Sequence, residues 1–142
     1  MAGVDRIVQH DTPYVNVTAD LDDSILMVRW KNYAPSGTYR VTLDLAVEWI
    51  GKYGLKAFLT DQRRRGAIMH EDEMWLVQDW APRMAKAGLR RAAVVQSADF
   101  FNRTSVERMV KAVVPTIPYI ISNFQTMEAA REWLMTAGEL GT

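Results

Sequence analysis

The chain has no cysteine and only two histidines, His10 and His70, in separate segments. Without cysteine there is neither a disulfide framework nor a thiolate metal site. The two histidines do not follow metal-ligand spacing. Neither sign of charge is in surplus, since 17 Lys and Arg face 17 Asp and Glu. That balance argues against a general electrostatic attraction to nucleic acid or to a membrane. No run approaches the ~20 apolar residues of a membrane span, so stable membrane insertion is not expected. The opening residues, MAGVDRIVQHD, carry charges where a signal peptide needs an apolar run. A cytoplasmic protein is the expectation. There is no Gly-rich phosphate loop and no nucleophile elbow, and no cofactor is expected.

What is there suits one soluble domain. Hydrophobic residues make up 49% of the 142, and charged residues 24%. A chain of this length buries roughly 70% of its unfolded surface. The stretch from Lys56 to Gln96 organises the rest: a short apolar strand at 56–61, a basic loop, an amphipathic helix over 71–87 and a second apolar strand at 91–95. This is the pattern of a βαβ unit with parallel strands buried on both faces.

Before it, 6–9 reads as a short strand ended by Asp11-Thr12-Pro13. Residues 14–19 alternate and 25–30 are more apolar, so the two form an antiparallel hairpin across Asp22-Asp23-Ser24. A helix opening at Pro35-Ser36-Gly37-Thr38 carries Tyr39, Leu43, Ala46, Val47, Ile50 and Tyr53 on one face. Gly54 ends it. Val41 and Leu45 lie on the flank of its polar side, as a stripe edge or a partner surface.

After the βαβ unit, Asp99 to Arg103 reads as a connecting stretch, and Thr104 or Ser105 is the expected cap of a helix with Val106, Met109, Val110 and Val113 inward. Pro115 and Pro118 stop it. A strand at 119–121 follows. Thr126 then caps a last helix with Met127, Ala130, Trp133, Leu134 and Ala137 inward, and Gly138 begins the tail. Pro82, inside the 71–87 helix, removes one backbone bond and is expected to kink or split it. The predicted fold is α/β, a mixed sheet of five or six strands with four helices mainly on one side.

Ligands in such sheets favour the carboxyl ends of parallel strands. Those ends offer Thr60, Asp61 and Gln62, then Gln96, Ser97 and Asp99, then Ser122 and Asn123. Short polar residues are expected at such strand ends in any case, where they bond local turn backbone. Arg63, Arg64 and Arg65 lie on the same edge near a helix start, which suits an anion site. Glu71, Asp72 and Glu73 are close enough in sequence to occupy those arginines, leaving a solvated basic loop. Trp75 falls off the apolar stripe, beside Asp79, Pro82 and Lys86, and is the strongest single pointer to a contact surface. Asp61 and Asp99 form an acid–base pair only if the fold joins them.

Leu26-Met27-Val28-Arg29-Trp30, the helix from Tyr39 to Ile50, and Leu59-Thr60-Asp61-Gln62-Arg63 are read together with five later segments. These are Trp75, Trp80-Ala81-Pro82-Arg83, Gly88, Ala92-Ala93-Val94-Val95 and Phe124 to Leu134. Together they resemble bacterial single-domain proteins of the STAS/SpoIIAA-like group over nearly the whole chain. The resemblance implies a mixed sheet and relatives that bind proteins or small ligands. Sigma-regulating members carry a phosphorylated serine after the central strand. Asp61 to Gln96 contains neither Ser nor Thr, so that switch is not expected here.

The resulting expectation is a non-catalytic binding module that engages a protein partner or a second copy through the Trp75 helix and loop 63–70. Two alternatives stand beside it. One is a carrier of a small anionic or lipid-like ligand held between helices and sheet; the other is an enzyme using Asp61 or Asp99.

Overall fold

The computed structural model describes residues 6–139, with side chains through 136. Six strands form one sheet in sequential order: β1 (Ile7–Asp11), β2 (Val15–Asp20), β3 (Ile25–Trp30), β4 (Ala57–Asp61), β5 (Arg91–Val95) and β6 (Ile120–Phe124). The first three pair antiparallel, and β3 through β6 pair parallel. The α/β class and mixed sheet expected from sequence are present, and 56–61 and 91–95 are hydrogen-bonded neighbours.

Helices α1 (Ser36–Tyr53), α2 (His70–Trp75) with α3 (Ala81–Ala87), and α4 (Phe100–Val113) make the three parallel crossovers. They pack on one face, where Val15, Val17, Leu26, Val28, Phe58 and Val94 meet Leu43, Ile50, Trp80, Met84 and Met109. The last helix, α5 (Met127–Glu139), alone covers the other face, placing Ala130 and Leu134 on Ile25, Leu59, Ala93 and Val95. Burial of β4 on both faces follows from this sandwiching. In β2, Val15, Val17 and Ala19 are buried while Asn16, Thr18 and Asp20 face away from that core.

Near Pro82 the chain stays helical, with right-handed backbone angles at Trp75, Leu76, Trp80 and Ala81, but its hydrogen bonding changes. A π-helical turn, Leu76–Trp80, separates α2 from α3, and the Ala81 N–H donates to Leu76 O. Pro82 follows directly on that turn and, having no N–H, cannot continue the α-helical bonding to Gln78 O. Gly54 and Gly88 close α1 and α3 at φ 62° and 107°, the left-handed region that glycine enters without a Cβ clash.

Several boundaries differ from the pattern reading. β1 extends to Asp11, and Thr12 stops it by accepting bonds from the Tyr14 and Val15 N–H groups. Trp49 joins the buried face of α1, while Val47 and Tyr53 are only partly covered. Val41 is exposed, and Leu45 packs at the core edge. Neither Ser36 nor Thr38 caps α1; Pro35 holds the cap position, and the Ser36 hydroxyl donates to Asp72 at 2.6 Å. The cap of α4 is Asp99, not Thr104 or Ser105, so 99–103 is helix start rather than connection. β6 runs to Phe124, which puts Ser122 and Asn123 inside the strand instead of after it. Thr126 does cap α5, and that helix continues through Gly138 to Glu139. The side chain of Ala137 lies outside the described residues.

Candidate functional site at the carboxyl edge

The carboxyl ends of β3, β4 and β5 define the candidate site. Strand order never reverses, so there is no switch-point crevice of the doubly wound kind. Instead a polar row crosses the sheet edge on the face shared with α5. Asp11 pairs with Asn16, Asn16 with Arg29, and Arg29 with Asp61. An open cleft of about 640 Å³ lies at this end, lined by Arg29, Trp30, Lys31, Asn32, Asp61, Arg63 and Arg64.

Asp61 is buried and serves Arg63. It accepts from Arg63 Nε at 2.9 Å, from its second guanidinium nitrogen at 2.8 Å and from its backbone N–H at 3.1 Å. That fork raises the Arg63 pKa above its ordinary value, chiefly through the hydrogen bond to Asp61. Lys31 pairs with Asp11 at 2.7 Å, and this bond, with one from Asn16, lowers the Asp11 pKa. Arg29 and Arg64 are exposed and enter no ion pair among the described residues. Sequence pointed to Arg63 and Arg64 but missed Arg29 and Lys31, which only strand register brings beside them.

The three arginines of the loop part company. Arg65 is not a solvated member of it: its side chain is 1% exposed, turned inward beneath the loop. Its guanidinium lies 4.5 Å from the Tyr39 ring, 5.2 Å from Trp30 and 5.3 Å from Tyr33. One nitrogen donates to Ala67 O, and Nε has no acceptor. Burial pushes its pKa down, opposed by the nearby Tyr39, Tyr33 and Asp72. Nor do the neighbouring acids occupy the loop arginines. Asp72 accepts from Arg40 and Ser36, and Glu73 holds Arg108 in a fork at 2.8 and 2.9 Å.

Beneath the loop lies a buried amide network. Asn102 is fully enclosed and donates to Gln62 and to Gly66 O, while Gln62 donates to Thr60. The Asn102 N–H donates to Asp99, whose carboxylate is committed to that cap. Asp61 and Asp99 therefore have separate local partners. This network ties loop 62–66 to the start of α4, and Ser97 adds a bond to Arg63 O. Phe100 and Phe101 emerge from that start 62% and 70% exposed, stacked edge-on at 5.6 Å. Sequence reasoning missed them because it assigned 99–103 to a connection.

Trp75 is half-buried and packs against the core edge. The guanidinium groups of Arg40 and Arg83 lie over its ring at 5.2 and 5.7 Å. Asp79 is exposed and pairs with Arg83, Trp75 and Pro82 are partly covered, and none of the three lines the basic cleft. Between the sheet and helices α3 and α4 is an apolar cavity of about 80 Å³ lined by Trp30, Tyr39, Phe58, Trp80, Val106 and Met109, among others.

Among the described residues no group of three or more His, Asp or Glu side chains is placed to hold a metal. No helix among them is long and apolar enough to cross a membrane. No protein-family model, curated protein or solved structure matches the chain.

Proposed function

We propose that this protein is a non-catalytic binding module that holds an anionic group of its partner at the carboxyl edge. The observation carrying this reading is the segregation of charge in one open cleft. Among the described residues that line it, four are cations, Arg29, Lys31, Arg63 and Arg64, and one, Asp61, is an acid. Even with Lys31 held by Asp11 and Arg63 by Asp61, the guanidinium groups of Arg29 and Arg64 remain for an outside carboxylate or phosphate. Planar guanidinium donors suit such groups because two parallel N–H bonds match two oxygens.

The STAS/SpoIIAA-like resemblance accords with a binding role, and the missing hydroxyl between Asp61 and Gln96 argues against a phosphoserine switch. The edge is favoured over the Trp75 flank as the contact surface, since Arg40 and Arg83 already lie over that ring. It is also favoured over a lipid-like ligand between helices and sheet. An engineered cavity of roughly 150 Å³ is what takes a single benzene; the space here is about 80 Å³. Chemistry at Asp61 or Asp99 has less support, because each carboxylate is engaged in a structural bond.

The test is a titration of the full chain with inorganic phosphate, followed by backbone amide NMR. Saturable shifts are expected at residues 29–32 and 61–66. Arg29→Ala with Arg64→Ala should weaken them about tenfold or more, with the melting temperature kept. Equal affinity in that variant, or no shifts in the wild type, would count against the reading.

A further inference from the structure

Resting on the anion-binding reading above, we infer that the partner is an anionic lipid surface, and that Phe100 and Phe101 are the wedge that enters it. The two rings are the most exposed aromatics of the described residues, and they stack on each other rather than on the core. Their pedestal is rigid: Asp99 caps the helix, and the enclosed Asn102 bonds to Gln62 and Gly66 O. Through those bonds the pair sits beside loop 62–66, which carries Arg64.

Arg103, two residues beyond the pair, enters no ion pair among the described residues; its guanidinium reaches only Ala98 O at 3.5 Å. Tyr33, 51% exposed, packs against Gly66 on the other flank of the loop. The edge thus presents exposed rings on a helix start and guanidinium groups on that helix and the loop bonded to it, the combination that suits aromatics below the headgroups and cations at the phosphates. Rings that project from a helix start, rather than line a groove, favour a medium that deforms around them. An acidic protein would need a matching pocket. The zero net charge of the chain does not oppose this, because the attraction is set by charges within a Debye length of the surface. No spanning segment is required; the contact is peripheral and reversible.

The test is sedimentation of the full chain with phosphatidylserine-containing phosphatidylcholine vesicles and with pure phosphatidylcholine vesicles. Binding is expected only with phosphatidylserine and should fall as salt is raised. Phe100→Ser with Phe101→Ser, and separately Arg64→Ala with Arg103→Ala, should each lose about tenfold or more in affinity. Arg64, Phe100 and Phe101 are exposed and Arg103 is partly so, and an unchanged melting temperature checks that the variants fold. Wild-type protein that ignores both vesicle types, binds them equally, or tolerates the Phe double substitution overturns the inference. Protein that responds to inorganic phosphate but not to vesicles overturns the lipid surface alone and leaves anion binding standing. Protein that responds to neither overturns both.

Discussion

Arg64 and Arg65 are adjacent in sequence and opposite in circumstance. Arg65 is closed in by Trp30, Tyr33 and Tyr39, on the side of the sheet that α1, α3 and α4 cover. Arg64 stands open at the carboxyl edge with no ion-pair partner among the described residues. A guanidinium inside an aromatic box contributes packing and cation–π attraction. The same group in water contributes almost nothing to stability and remains available to a partner. The covered region holds the fold together, and the edge carries the proposed binding chemistry.

Substitutions should separate the two regions. The largest effect is expected at Trp80, which packs edge-on to Phe58 and donates its indole N–H to Leu43 O at 2.7 Å. Trp80→Ala should cost about 3–5 kcal/mol in denaturant unfolding, from the lost transfer energy and the cavity left behind. Arg65→Ala should follow at about 2–3 kcal/mol, since it empties a box built around the guanidinium and its stem. By contrast, Arg64→Ala should change stability by no more than about 0.5 kcal/mol. An Arg64→Ala loss equal to that of Arg65→Ala would erase the distinction.

Acid should reach the covered region through Glu73. Burial raises its pKa, but the Arg108 fork, a bond from Ser105 and the nearby charges of Arg108 and His70 outweigh that and hold it below 4.5. The stabilisation is therefore complete above pH 4.5 and is lost as pH falls through the lowered value. Arg108 is half in water, so the pair is screened and the effect is smaller than at Arg65. Glu73→Gln should flatten the acid limb of a stability–pH curve measured by urea unfolding. An unchanged limb would remove Glu73 from the account. The smallest stability effect is expected for Phe100→Ser with Phe101→Ser, within about 0.5 kcal/mol by urea unfolding. A large loss there would make the rings structural.

Much of this architecture was legible from periodicity. The alternation of β2, the apolar runs of β4 and β5, the glycine stops at Gly54 and Gly88 and the irregular helix bonding before Pro82 each rest on a local backbone rule. The edge was less legible because its members meet through register and loop packing. Arg29 comes beside Asp61 only because β3 pairs with β4. Nothing in Arg-Arg-Arg says which side chain turns inward; Trp30 and Tyr39, on distant elements, decide that. Phe100 and Phe101 were obscured by a competing cap. Thr104 and Ser105 have the right chemistry, but Asp99 reaches the Asn102 N–H first and starts the helix five residues earlier than Thr104 suggests.

The most direct test of the division between fold and function is to map where inorganic phosphate acts while the melting temperature is followed in the same wild-type sample. Amide shifts confined to 29–32 and 61–66, with the cavity-lining amides of Trp80, Val106 and Met109 unmoved, are what the account predicts. Shifts centred on those cavity residues, with the edge silent, would contradict it.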